Sequence, residues 1–127
     1  MGSLAGVLDY FNYVDNDEIP RLYEQSIVIY GRVQGSSSYN VAIGEFNLGA
    51  VYSSRAKRAE TANDLDRCLA NLELVLLHLR EAARIFRTDN HMDSADNALR
   101  GVAQIEEDIR RIRIARAAEA AATTTRR

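Results

Sequence analysis

One leucine-rich segment constrains the fold of this 127-residue chain more than any other feature. Its apolar residues recur at alternating steps of four and three, at Leu65, Leu69, Leu72, Leu76, Leu79, Ala83 and Phe86. This unbroken heptad pattern is typical of an α-helix that is packed along its whole length. Leu74 and Leu77 lie off the seam, so we expect them to broaden the apolar face, as in a helix packed between two neighbours. The pattern favours a stack of antiparallel helices over an extended coiled coil.

Three further segments have helical periodicity, at about residues 16–33, 40–58 and 93–116. Pro20 suits the first turn of its helix, where a missing N–H does no harm. Asp93 or Ser94 is expected to cap the last helix. An apolar piece at residues 4–14 is a candidate for one more helix. We therefore predict an all-α domain over residues 1–116 and a flexible tail over residues 117–127.

The second of these helices contains two glycines, Gly44 and Gly49. Each costs about 1 kcal/mol relative to alanine in a helix interior. Close approach of a neighbouring helix is the usual reason for tolerating that cost. We predict that Gly49 packs against the helix that follows.

The same helix contains the sequence Asn-Leu-Gly-Ala-Val-Tyr at residues 47–52. It resembles the first-helix signature of a tetratricopeptide repeat, in which Leu-Gly is followed three residues later by Tyr; the matching residues are Leu48, Gly49 and Tyr52. Residues 17–52 are similar to the longer repeats of the kinesin light chain and nephrocystin type. The chain departs from that type at the 35–40 linker. It also carries roughly a dozen extra residues after Tyr52, which must lengthen the helices or the linker at 55–62.

The resemblance implies antiparallel helix pairs that form a fragment of a right-handed superhelix, and a four-helix bundle is the alternative. It also implies an adaptor or scaffold that binds a protein or peptide partner in a helical groove. On the second helix the candidate partner-binding residues are Asn40, Asn47 and Arg55, with Gly44 leaving room. Asparagine can donate to and accept from an extended peptide backbone, and Asn47 resembles the family's peptide clamp. The other hypothesis is a self-assembling helical bundle or coiled-coil homodimer.

Composition and motifs argue against several other classes. Sixteen basic and eighteen acidic residues give a net charge of −2, so nucleic-acid binding through bulk charge is not expected. The single cysteine, Cys68, excludes an internal disulfide and a cysteine zinc site. No stretch reaches the roughly 18–20 apolar residues of a membrane span. We see no export signal, and therefore expect an intracellular, cytoplasmic protein.

No catalytic, cofactor or metal motif is recognisable, and we expect a protein that is not an enzyme and holds no cofactor or metal. His78 lies among leucines and is predicted to pack between helices. His91 lies in a turn before the last helix, and Cys68 adjoins the heptad seam as a small core residue. The arginines near the C-terminus, beside acidic residues 106–108, are predicted to be a solvated helix end.

Overall fold

The computed structural model describes residues 17–125, which form four α-helices joined by short turns. Helix α1 is Glu18–Gln34, α2 is Tyr39–Thr61, α3 is Leu65–Thr88 and α4 is Met92–Thr125. These residues contain no strand. The predicted all-α class is confirmed for this part of the chain. The apolar piece at residues 4–14 lies outside the described residues.

Two asparagines end helices α2 and α3 in the same way. Asn63 and Asn90 have φ angles of 58° and 64°, in the left-handed region that asparagine tolerates better than most residues. After each of them the next backbone N–H donates back to a carbonyl five residues earlier, from Asp64 to Ala59 at 2.8 Å and from His91 to Phe86 at 2.7 Å. This is the Schellman pattern. It reverses the chain within a few residues, so consecutive helices run antiparallel.

Helix α3 packs between α2 and α4, as the heptad seam predicts. The main core joins all three helices, with Leu72, Leu79 and Val75 of α3 buried against Ala56 of α2 and Ile105 of α4. A second cluster surrounds Phe86 nearer the α1–α2 turn.

The prediction that Leu74 and Leu77 broaden the apolar face of α3 is wrong. Leu74 is 36% exposed and Leu77 is 62% exposed. The face is widened on its other side by Cys68, Val75 and Ala82, all buried. Small residues outside the heptad seam therefore also pack α3 into the two core clusters.

Leu79 is held between two glycines. A Cβ placed on Gly49 of α2 would lie 3.2 Å from one δ-methyl carbon of Leu79, and a Cβ on Gly101 of α4 would lie 3.0 Å from the other. The missing side chains let three helices close around one leucine. A third glycine, Gly44, allows α1 to approach α2, since its Cβ would lie 2.6 Å from Cγ1 of Ile27.

Several helix boundaries differ from the sequence prediction. Helix α2 continues to Thr61, so the extra residues after Tyr52 lengthen helices rather than a loop. Helix α4 begins at Met92, which puts Asp93 in its first turn rather than at its cap. It continues to Thr125 instead of ending near residue 116.

The last turns of α4 contact another part of the fold. Glu119 accepts a hydrogen bond of 2.8 Å from the Asn63 side chain, in the turn between α2 and α3. The flexibility of residues 117–127 stays a prediction.

Ion pairs join the antiparallel helices at the surface. Three of them cross from α3 to α4, and they are Arg80–Glu106, Glu73–Arg113 and Asp66–Arg116, at 3.6, 3.3 and 2.8 Å. A fourth, Arg111–Glu60 at 2.6 Å, joins α4 to α2. Arginines near the C-terminus therefore form ion pairs with acidic residues of other helices as well as of their own helix. Their side chains are also exposed to solvent.

Candidate interaction surfaces

The three predicted partner-binding residues lie near the contact between α2 and α1. Asn40 donates a hydrogen bond of 2.8 Å to the side-chain oxygen of Gln34, at the end of α1. Arg55 lies 3.1 Å from the carboxylate of Asp17, at the start of α1. Asn47 lies between them along α2 and is half-buried. Two of the three side chains thus make contacts within the chain, and their role in binding a partner stays a prediction.

The residues of the Leu-Gly-Tyr motif contribute to helix packing. Leu48 is 1% exposed, and Gly49 lies against Leu79 and Val75 of α3. The ring of Tyr52 is half-buried and stacks on His78 of α3, with 5.6 Å between ring centroids and 13° between planes. Burial raises the pKa of the Tyr52 hydroxyl, and the negative charge of Glu24 raises it further.

A half-buried pair that the sequence analysis missed lies beside Tyr52. Nδ1 of His78 is 2.6 Å from Oε2 of Glu45, and the two side chains are only 16% and 14% exposed. A carboxylate can only accept, so the imidazole N–H donates. The two residues come from different helices, and no local spacing could have paired them. The hydrogen bond holds the imidazole between α2 and α3 and gives Nδ1 of His78 and Oε2 of Glu45 a partner within the fold.

Cys68 and His91 both pack against other residues of the fold. Cys68 is buried, and burial raises the pKa of its thiol, which favours the less nucleophilic protonated form. His91 packs its ring 4.6 Å from that of Tyr39. Among residues 17–125 there is no cluster of three metal-ligating side chains. In the same part of the chain, no helix combines the length and hydrophobicity that crossing a membrane requires.

A groove of about 1180 Å³ is lined mainly by residues of α3 and α4. We call it the α3–α4 groove. Its apolar lining comes from Leu76 and Leu77 of α3 and from Ile109 and Ile114 of α4. Leu77 and Ile114 are 62% and 66% exposed. Large apolar side chains gathered in one groove at such exposure mark a surface that another molecule can cover.

Charged side chains of both signs surround the α3–α4 groove, including Glu73, Arg80, Glu81, Arg84 and Arg113. Most of them are already paired. Arg84 donates to Glu81 at 2.5 and 3.0 Å, and this hydrogen bond lowers the pKa of the Glu81 carboxyl. The border is therefore polar but close to neutral, and binding there depends mainly on apolar contact.

A second exposed apolar surface lies on α1, opposite α2. Leu22, Ile29 and Val33 are 54%, 58% and 76% exposed. They recur at helical spacing on one side of α1, while Ile27 on the opposite side meets Gly44 of α2. We call these three residues the outer face of α1.

Comparisons with protein-family models, with curated proteins and with solved structures found no match to this chain.

Proposed function

We propose that this chain is a non-enzymatic protein–protein interaction module of the tetratricopeptide-like type, which binds an amphipathic helix of a partner protein in the α3–α4 groove. The observation that carries the proposal is the exposure of Leu77 and Ile114 on facing sides of that groove. Large apolar residues that stay exposed to water lower the solubility of a protein unless a partner covers them.

The dimensions of the groove favour a helix as the occupant. Its lining runs from Glu73 to Arg84 on α3 and from Glu106 to Ala117 on α4, which is about 16 Å along each helix at 1.5 Å per residue. That length matches about three turns of a docked helix. The helix would place apolar residues at positions i, i+3 or i+4, and i+7 over Leu77 and Ile114.

The charged residues at the border of the groove indicate which charges a partner helix carries. Because arginines and glutamates alternate and are largely paired with each other, a strongly basic or strongly acidic peptide gains little from them. We expect a partner helix with an apolar stripe and flanking charges of both signs, which can exchange ion pairs with Arg84 or Glu73 at the border. Its affinity then comes from the buried apolar anchors.

The tetratricopeptide-like architecture is supported by the way in which each helix packs on its neighbours in chain order. Gly49 allows close approach of α3, and Tyr52 fills the space beside His78, which are the functions that the resemblance implies for these positions. Asn47, half-buried on α2, provides a second contact for the partner in this proposal.

Site-specific photo-crosslinking in the native cells tests the proposal. A photo-reactive benzoylphenylalanine replaces Leu77 in the full chain, and the control carries it at Asn97, which is exposed on α4 and does not line the groove. We expect position 77, and not position 97, to crosslink to a partner segment with apolar residues at helical spacing.

Three outcomes would count against the proposal. Equal crosslinking from both positions would mean that the groove has no specific occupant. The absence of any adduct at position 77 would mean that the groove is unused. Crosslinking to a second copy of this chain would favour the self-assembling bundle instead.

A further inference from the structure

One carboxylate in the α3–α4 groove differs from the others in its counterion. Three glutamates of the groove lining each pair with an arginine that also lines it, and these pairs are Glu73–Arg113, Glu81–Arg84 and Glu106–Arg80, at 3.3, 2.5 and 3.6 Å. The fourth is Glu45 of α2, whose ion-pair partner within residues 17–125 is His78. Arginine stays charged at physiological pH, whereas an imidazole is charged only after it takes up a second proton. In the described part of the chain, Glu45 therefore has no permanent counterion.

Glu45 is also the least exposed of these four glutamates. Its side chain is 14% exposed, whereas those of the other three are 59%, 41% and 50% exposed. Its Oε2 accepts the hydrogen bond from His78, and its Oε1 receives none from residues 17–125. Because these residues contain no buried side-chain oxygen without a hydrogen-bond partner, Oε1 must be open to solvent, in a residue that lines the groove. The groove thus contains one half-buried carboxylate that can accept a further hydrogen bond.

A helix that covers the groove would take this carboxylate out of water. The carboxylate lies close to the apolar contact, since its partner His78 directly follows Leu77 in α3. Removing an ionised carboxylate from water is costly unless an opposite charge that donates hydrogen bonds replaces the lost water. The arginines that line the groove already pair with glutamates, and they are Arg80, Arg84, Arg110 and Arg113. The charge is therefore expected to come from the molecule that docks.

We infer that the partner helix carries an arginine or lysine beside its apolar stripe, and that this residue donates to Oε1 of Glu45 when the helix docks. The inference rests on the proposed function, because it concerns the same groove. His78 lies about 100° around α3 from Leu77, and it is held by a residue of α2. The basic residue therefore flanks the stripe on the side that faces α2. A hydrogen bond between two charged groups is short and strong, and this one makes the groove selective among amphipathic helices.

A peptide-display selection tests this chemistry. The probe is a library of helical peptides of about three turns, with leucine fixed at positions i, i+4 and i+7 and with the flanking positions randomised. The target is the full chain, and peptides that also bind Leu77→Asp are discarded. We expect arginine or lysine to be enriched at a flanking position on one side of the stripe. Against Glu45→Gln, whose amide oxygen can still accept from His78, this enrichment should disappear.

Titration of one selected peptide measures the effect of the charge. Replacing its enriched basic residue with a neutral analogue, citrulline for arginine or acetyl-lysine for lysine, should weaken binding by about tenfold. Glu45→Gln should have the same effect, and the two changes together should weaken binding no further, because both remove one contact. Asp96→Asn, at an exposed position of α4 outside the groove lining, should leave the affinity unchanged. The change in the peptide leaves the protein unaltered, so it decides the question even if Glu45→Gln does not fold.

Failure of this inference and failure of the proposed function give different results. Peptides that depend on Leu77 but show no enriched basic residue, or show the same enrichment against Glu45→Gln, would overturn the inference and leave the groove as a docking site. Proton uptake on binding, measured as a dependence of the binding enthalpy on the buffer and abolished by Glu45→Gln, would also overturn it, since His78 would then supply the charge. A selection that yields no peptide dependent on Leu77 would overturn both.

Discussion

Replacing Gly49 with alanine separates helix propensity from helix packing. In an isolated helix the change stabilises by about 1 kcal/mol. In this fold the new Cβ would lie 3.2 and 3.3 Å from two carbons of Leu79, a few tenths of an ångström inside the roughly 3.5–4.0 Å optimum for carbon contacts. Leu79 has little room to move away, because its other methyl group already lies against Gly101.

We estimate the overpacking at about 2 kcal/mol, within the usual range of about 1–3 kcal/mol. Subtracting the propensity gain leaves a loss of about 1 kcal/mol in the free energy of unfolding. For a domain of this size that corresponds to a decrease of about 3–5 °C in melting temperature. Urea and thermal unfolding followed by far-UV circular dichroism measure both quantities. Gly49→Leu should be worse, since the larger side chain must separate α2 from α3.

Gly31 of α1 provides a matched control. Its nearest non-local atom would lie 3.9 Å from an added Cβ, so Gly31→Ala should stabilise by up to about 1 kcal/mol. In a Leu79→Ala background the obstacle to Gly49→Ala is removed, and the same substitution should become stabilising. If Gly49→Ala stabilises the unaltered protein as Gly31→Ala does, the glycine is not at a tight crossing and the argument from packing fails.

Three further perturbations test other parts of the fold. Gly44→Ala should destabilise by about 1–3 kcal/mol, because its Cβ would lie 2.6 Å from Ile27, and hydrogen exchange should increase in α1 first; unchanged exchange there would contradict the contact. Leu72→Ala should cost about 2–5 kcal/mol in chemical denaturation, whereas Leu77→Ala, at an exposed position, should change stability by less than about 0.5 kcal/mol; equal costs would refute the assignment of the two faces. A hydrogen bond from α4 lowers the pKa of the Glu60 carboxyl below its ordinary 4.5. The stabilisation from this ionised carboxylate is therefore complete above pH 4.5 and is lost as the pH falls through the lowered pKa. Glu60→Gln should weaken the acid dependence of the melting temperature, and a pH profile identical to that of the unaltered protein would show that Glu60 does not contribute to it.

The sequence predicted the helices because their periodicity is local. The seam from Leu65 to Phe86 can be recognised from short-range spacing, and it lies entirely within α3. The end of α4 was missed because alanine and threonine repeats carry no apolar periodicity. Their helix continues through intrinsic propensity and through the contact of Glu119 with Asn63.

The surfaces were harder to predict because they depend on which neighbour each helix chooses. Leu77 looks like a core residue in the sequence, but it is 62% exposed in the α3–α4 groove, whereas Val75 and Ala82 of the same helix are buried. The pair of Glu45 and His78 is 33 positions apart. Only the antiparallel register of α2 and α3, which side-chain packing sets, brings them together.

The central claim is that the α3–α4 groove binds a partner helix through Leu77 and Ile114. The most direct measurement is isothermal titration of the full chain with a synthetic peptide of the segment that crosslinks at position 77. We expect Leu77→Asp and Ile114→Asp each to weaken binding by about thirtyfold or more, the effect of losing a 2 kcal/mol anchor, and Asn97→Asp to leave the affinity unchanged. If the peptide binds Leu77→Asp and Ile114→Asp as tightly as the unaltered chain, the groove is not the binding site and the account is contradicted.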